Sequence, residues 1–154
     1  MMPAIPTENI NRYPRRPPWR PLRDGSVAAA ILEQSPPRAK MFEIPLVYVA
    51  GPYTRPDPIR NTHDAVKWGE RINASGLACA MVPHITLLWH AIAPHDDVEY
   101  WYALDIAHLA RCDAVFRFPG DSSGADREVA FALSRDLPVF TDFDQLLDWA
   151  RDRG

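Results

Sequence analysis

The chain has 154 residues, 47% of them hydrophobic and 24% charged, which suits one globular domain with its own core and leaves little room for a second. The net charge is −3, unevenly distributed along the chain. No apolar run approaches the roughly 20 residues that cross a bilayer, and the start lacks the apolar stretch of a signal peptide, so no membrane partner and a cytoplasmic, soluble protein are expected.

Residues 1–40 differ from the rest. They hold seven Lys/Arg against three Asp/Glu, a net of +4 that leaves −7 for the remainder, and eight of the 16 prolines. Proline fixes φ and lacks an N–H, so this segment is expected to be a mostly disordered Pro/Arg-rich extension. Its Arg12, Arg15, Arg16, Arg20 and Arg23, with Tyr13 and Trp19, form a basic and aromatic set, but a solvated tail is favoured over nucleic-acid contact. Residues 26–34 are consistent with one short helix.

The folded domain is placed at 41–154. Leu46, Val47, Tyr48, Val49 and Ala50 form a continuous apolar run that ends in Gly51-Pro52, the pattern of a central parallel strand with a loop at its carboxyl end. Residues 59–74 read as a helix with Ala65, Val66, Trp68, Gly69 and Ile72 on its apolar face, closed by Ser75-Gly76. A second strand is expected over 77–82, irregular chain or a short helix over 84–95, and a firmer helix over 98–111. A third strand (113–118), a helix (125–135), a fourth strand (137–140) and a closing helix (143–151) follow. Strand and helix alternate, so the expected fold is α/β, a three-layer doubly wound parallel sheet with right-handed crossovers. Cys79 and Cys112 have no metal-type spacing and are expected as buried free thiols.

Ligands on such sheets gather at the carboxyl ends of the strands, where loops 51–58, 83–97 and 119–124 are expected to share a rim. Ser122, Ser123 and Gly124, at a helix start, are placed to offer N–H and hydroxyl donors to a phosphate, with Ser122 also suited to cap the helix. Gly51 permits close approach of backbone to a ligand, and Tyr53 is suited to stack on a base or close over a sugar. Glu128 follows near the helix start, where an acid also serves simply to complement the helix dipole; that dipole is expected to keep it ionised. Asp105 is either an exposed helix acid or, in an apolar cleft, a proton donor. Asp113 is expected to be a structural turn residue. His84, His90 and His95 crowd one segment with Trp89 and Trp101 but match no zinc spacing, so packing or substrate contact is preferred to a metal.

Three motifs, in order, carry a resemblance: Tyr48-Val-Ala-Gly-Pro-Tyr53, Asp105-Ile-Ala-His-Leu-Ala-Arg-Cys-Asp113, and Ser122-Ser-Gly-Ala-Asp-Arg-Glu128-Val-Ala-Phe-Ala132. Over about residues 44–140 the chain resembles the nucleoside 2-deoxyribosyltransferase superfamily, nearest its phage- and prophage-borne branches. The resemblance implies a flavodoxin-like fold, no cofactor, no metal, and a homo-oligomer. It also implies an enzyme that cleaves or exchanges the N-glycosidic bond of a nucleoside or nucleotide. Glu128 matches the family's nucleophile, Asp105 an acid that contacts the sugar or assists the leaving base, and Ser122 to Gly124 the loop that holds a 5′-phosphate in the monophosphate-hydrolysing branch. Asp121 beside Ser122 leaves nucleoside and monophosphate both open.

The chain departs from the family pattern at Ala125 and at Arg127, which stands where a small or aromatic residue is usual. Arg127 is expected either to pair with Glu128 and weaken it or to point outward. Two alternatives accompany the glycosyl-transfer reading: a non-catalytic nucleotide-binding module, and a phosphoribohydrolase or NAD glycohydrolase-like enzyme.

Overall fold

A computed structural model describes residues 43–153, so the extension expected over 1–40 and the helix expected over 26–34 lie outside the described residues. The domain is α/β, with a four-stranded all-parallel sheet and five α-helices. In chain order these are β1 (Leu46–Ala50), α1 (Pro58–Ser75), β2 (Cys79–Met81), a 3₁₀ turn (Pro83–Ile85), α2 (Thr86–Ile92), α3 (Val98–Leu109), β3 (Ala114–Arg117), α4 (Ser123–Ser134), β4 (Val139–Phe140) and α5 (Phe143–Arg151).

The strands lie in the order β2-β1-β3-β4. The chain therefore runs outward from β1 to β2 and then crosses back to β3 on the other side of β1. That reversal leaves a crevice at the carboxyl ends of β1 and β3, where Ala50 pairs with Arg117. The two edge strands, β2 and β4, are shorter than the runs expected over 77–82 and 137–140. Asp113 ties β1 to β3 at the other end: its Oδ2 accepts from Leu46 N at 2.8 Å, the structural role expected of it.

Alternation along β1 sends successive side chains to opposite faces and supplies two cores. Val47 and Val49 pack with Ala65 and Ile72 of α1 and Leu146 and Ala150 of α5, with Trp68 against them. Tyr48 and Ala50 pack with Leu109 of α3 and Ala125 and Ala132 of α4. Val66, expected on the inward face of α1, is 37% exposed, because the helix turns it away from Ala65, Gly69 and Ile72.

Local chemistry fixes the helix ends that frame the crevice. Asp57 caps α1 through Arg60 N with Pro58 in the first turn, and Gly76 ends it at φ 68°. Ser122 caps α4 through Ala125 N. The helix thus begins at Ser123, two residues before the expected start at Ala125, since a Ser side chain that accepts from the first turn outweighs the weak helix propensity of Ser-Gly. Gly120 adopts φ +130°, and a Cβ there would stand 2.4 Å from the Pro52 ring, so the loops after β1 and β3 touch. Both cysteines are free, Cys112 buried and Cys79 partly exposed.

Candidate active site

Glu128 lies in the second turn of α4 and is only 8% exposed. The dipole effect fades beyond the first turn, and Asp126 occupies the first-turn acidic position. Dipole complementation therefore does not account for Glu128. Its side chain points to the sheet face where Tyr48 emerges from β1, and the Tyr48 hydroxyl donates to Glu128 Oε1 at 2.9 Å within the buried layer.

Burial pushes the Glu128 carboxyl up to about 7; the nearby negative charge of Asp105 adds to this, while the Tyr48 hydrogen bond and the Arg117 charge pull it down. The expectation that the helix dipole would hold Glu128 firmly ionised is corrected here, because desolvation outweighs the dipole at this depth. Near neutrality it exists in both charge states. Asp105, on α3, is likewise raised by burial to about 6, and its Oδ1 is buried with no hydrogen-bond partner among the described residues. An exposed helix acid would show neither feature. Tyr48 feels both carboxylates, and burial with these charges holds its phenol well above its ordinary value, so it remains a donor.

Tyr53 follows β1 in the same crevice, where burial and then the Asp105 charge raise its phenol. Its loop is pinned from below. Asn61, buried on α1, donates through Nδ2 to the carbonyls of Tyr53 at 2.8 Å and Arg55 at 2.7 Å. His84 is buried, and its Nε2 stands 2.9 Å from Pro52 O. A carbonyl only accepts, so Nε2 carries the proton; burial lowers the imidazole's affinity for a second one and keeps it neutral. His84 thus has a packing role, its ring lying edge-on to Tyr53 at 5.9 Å.

Gly51 has a packing reason as well: a Cβ there would come within 2.0 Å of the Phe118 ring, so the room expected for a ligand is occupied by Phe118. On the other loop, Ser122 caps α4, and the N–H groups of Ser123 and Gly124 have no carbonyl within the helix to bond. A Cβ on Gly124 would meet only Ser122 Oγ, at 3.8 Å, so the space over this turn is open. Arg117, at the end of β3, donates to the carbonyls of Phe118 and, at 2.7 Å, Gly120, and stands 3.4 Å from Asp126 Oδ1. It fastens the loop that leads to Ser122.

Arg127 points outward, the second of the two expected orientations. Its guanidinium forks onto both carboxylate oxygens of Glu99 at 2.9 and 3.0 Å and lies 3.6 Å from the centre of the Tyr102 ring. The histidines do not converge. His84 lies beneath the β1 loop, while His90 and His95 pack against Trp101 at 5.3 and 5.5 Å. No group of three His, Cys, Asp or Glu side chains among the described residues is arranged to hold a metal ion.

Glu128, Asp105, Tyr48 and Tyr53 thus lie near enough to perturb one another's charge, and Asn61 and Arg117 hold the loops that flank them. Tyr48 has a legible signal, since a phenol in an otherwise aliphatic strand needs a partner for its hydroxyl. Arg117 also has a legible signal, a charge inside an otherwise apolar strand, whereas Asn61 has none, because it acts on carbonyls that only folding brings near. No protein-family model, curated protein or solved structure matches this chain.

Proposed function

We propose that this protein cleaves or transfers the N-glycosidic bond of a nucleoside or nucleoside 5′-monophosphate through a covalent glycosyl-Glu128 intermediate. The observation that carries this reading is the buried Glu128, oriented by the Tyr48 hydroxyl, with the half-buried carboxyl of Asp105 near enough to raise it. Two carboxyl groups with raised pKa values in one crevice are the equipment for nucleophile and proton donor.

In the first step a Glu128 oxygen bonds to the anomeric carbon as the bond from that carbon to the base nitrogen breaks. The bonding pair leaves with the base, which takes a proton from Asp105. In the second step Asp105, now a carboxylate, removes a proton from water as the water oxygen displaces Glu128 from the anomeric carbon. A second base with its own N–H replaces water when the outcome is transfer. The Tyr48 hydroxyl holds Glu128 throughout and stabilises its ionised form. Tyr53 borders the sugar or base, and the N–H groups of Ser123 and Gly124 with the Ser122 hydroxyl suit a 5′-phosphate.

The proposal extends to the architecture and assembly. The two cores on opposite faces of the sheet support a three-layer, doubly wound, flavodoxin-like arrangement. No helix of the described residues is long and apolar enough to cross a membrane, and a site for a small polar metabolite suits the cytoplasm. Self-association is supported by Ile85 at the end of the 3₁₀ turn and Leu88, Trp89 and Ile92 of α2, which repeat at helical spacing yet are 47 to 76% exposed.

The test is incubation of the purified protein and Glu128→Ala with ribo- and deoxyribonucleosides and their 5′-monophosphates, with and without a second free base, followed by chromatography of free base. Release or exchange that disappears in Glu128→Ala is expected. Ligand binding without base release at any pH would instead make this a nucleotide-binding module.

A further inference from the structure

The helix that carries Asp105 is only partly buried. Among the twelve residues of α3 only Leu109, at its carboxyl end, is buried, and its first turns expose Val98 and Tyr100. Apolar burial thus fixes the far end of α3, while the segment from Val98 to Asp105 is held by separate attachments: Trp101 packs edge-on against Trp89 and His90 of α2 and donates to His95 O. A second attachment comes from α4. Arg127 meets Glu99 through a two-pronged hydrogen bond and covers the Tyr102 ring. Glu99 and Tyr102 are the second and fifth residues of α3, about two turns and one turn ahead of Asp105, and Arg127 immediately precedes Glu128.

Resting on the glycosyl-transfer reading of this site, we infer that Arg127 is a positioning residue: clamped to Glu99 and Tyr102, it ties α3 to α4 and sets how closely Asp105 approaches Glu128. A single exposed ion pair is ordinarily a weak fastening. This one has the fork geometry that fixes orientation as well as distance, and the ring beneath the guanidinium restricts it further. Lysine, a point charge without the planar fork, cannot replace it. The residue that departs from the resembled family's pattern at this position therefore has a task on the neighbouring helix and does not neutralise Glu128.

The charged and titratable groups that bear on Glu128 are Tyr48 from β1, Asp105 from α3 and Arg117 from β3; those that bear on Asp105's surroundings are Tyr48, Tyr53 and Glu128. If the clamp holds Asp105 in place, its loss lets α3 move outward, separates the two negative charges and admits water. Both changes favour ionised Glu128 and lower the pH at which it titrates. Loss of the Arg127 charge by itself acts in the opposite direction, since removing a nearby cation disfavours a carboxylate. The sign of the shift separates the two.

The experiment is a carboxyl carbon NMR titration of the full chain, with Asp105 and Glu128 assigned through Asp105→Asn and Glu128→Gln. It compares the wild type with Arg127→Ala, Arg127→Lys and the charge-swapped pair Arg127→Glu/Glu99→Arg. We expect Glu128 to titrate lower by about half a pH unit or more in Arg127→Ala. The same direction is expected in Arg127→Lys, with part of the wild-type value restored in the swapped pair, where the ion pair returns without its original geometry. Titrations in folded Arg127→Lys that superimpose on the wild type, or shift upward, would overturn the inference. Base release measured on the same samples decides the catalytic reading separately: a downward shift in a protein that releases no base keeps the clamp and removes the catalytic role.

Discussion

Two carboxyl groups decide what this crevice can do, and their protonation is set by where the chain buries them. In the proposed reaction Glu128 must be ionised to attack and Asp105 protonated to donate. With Glu128 raised to about 7 and Asp105 to about 6, the rate should follow a bell. It rises as Glu128 loses its proton and falls as Asp105 loses its own, and the two limbs belong to the pair rather than to either residue. A pH profile of kcat/KM on the best substrate checks this. Because Glu128 lies above Asp105, the reactive form is the minor singly protonated one, and the acid limb falls near the lower value and the base limb near the higher. Tyr48→Phe removes a donor that favours the ionised nucleophile, so the base limb should move to higher pH and the maximum should fall. The loss of a hydrogen bond to a charged group, about 1.5–3 kcal/mol, corresponds to a fall of roughly 10- to 100-fold in kcat/KM near neutrality. Asp105→Asn should abolish the base limb and leave a single acid limb set by Glu128 alone, displaced upward from that of the wild type. An unchanged profile in Tyr48→Phe would remove the orienting role of the hydroxyl.

At the scale of elements, the site depends on two loops that press against each other. Gly120 needs its positive φ, and its α-carbon faces the Pro52 ring. Gly120→Ala should therefore cost about 1–3 kcal/mol from backbone strain before any readjustment of the ring. Urea denaturation read with activity would show both losses together, because the strained loop leads directly into Ser122. Ser122→Ala removes the cap that starts α4 and should cost about 1 kcal/mol of stability. Elements with strong local signals were legible in the sequence. The closing helix runs over Phe143–Arg151 as expected, since Asp142 caps it and its apolar positions repeat at helical spacing. The start of α4 was not, because the cap wins over propensity only when the serine can reach the first-turn N–H. The consequence reached the site: a start at Ala125 would make Glu128 a first-turn acid, whereas a start at Ser123 buries it beside Tyr48. Asp105 could be read as an acid on a helix, but its burial depended on how α3 lies over β1 and α4. The clamp between Arg127 and Glu99 joins residues 28 apart and leaves no local trace.

For the whole molecule, burial of the two carboxyls trades stability for reactivity. A folded-state pKa above the unfolded one means that the native state binds more protons, so stability is full below the unfolded values and is lost as pH rises through the folded ones. The window runs from about 4 to about 7 for this pair. Glu128→Gln retains an acceptor for the Tyr48 hydroxyl and removes the ionisation. Its stability should be close to that of the wild type near pH 4 and should exceed it at pH 8 by up to about 3 kcal/mol, at 1.36 kcal/mol for each pH unit between the two states' pKa values. Thermal melts across that range would show Tm curves that diverge upward with pH; parallel curves would mean that Glu128 is not buried as described. Leu88→Asp with Ile92→Asp, placed on the exposed stripe of α2, should lower the assembly state in analytical ultracentrifugation if that stripe is where copies of the chain meet.

The central claim is a covalent bond between a sugar and Glu128, and the most direct measurement is its capture. A nucleoside substrate bearing fluorine at the sugar C2′ destabilises positive charge at the anomeric carbon and slows the second step. Acid quenching followed by peptide mass spectrometry should then find the fluorosugar attached to the peptide that contains Glu128, and fragmentation should place it on that side chain. Base release with the sugar attached to no residue, or attached elsewhere, would contradict the account.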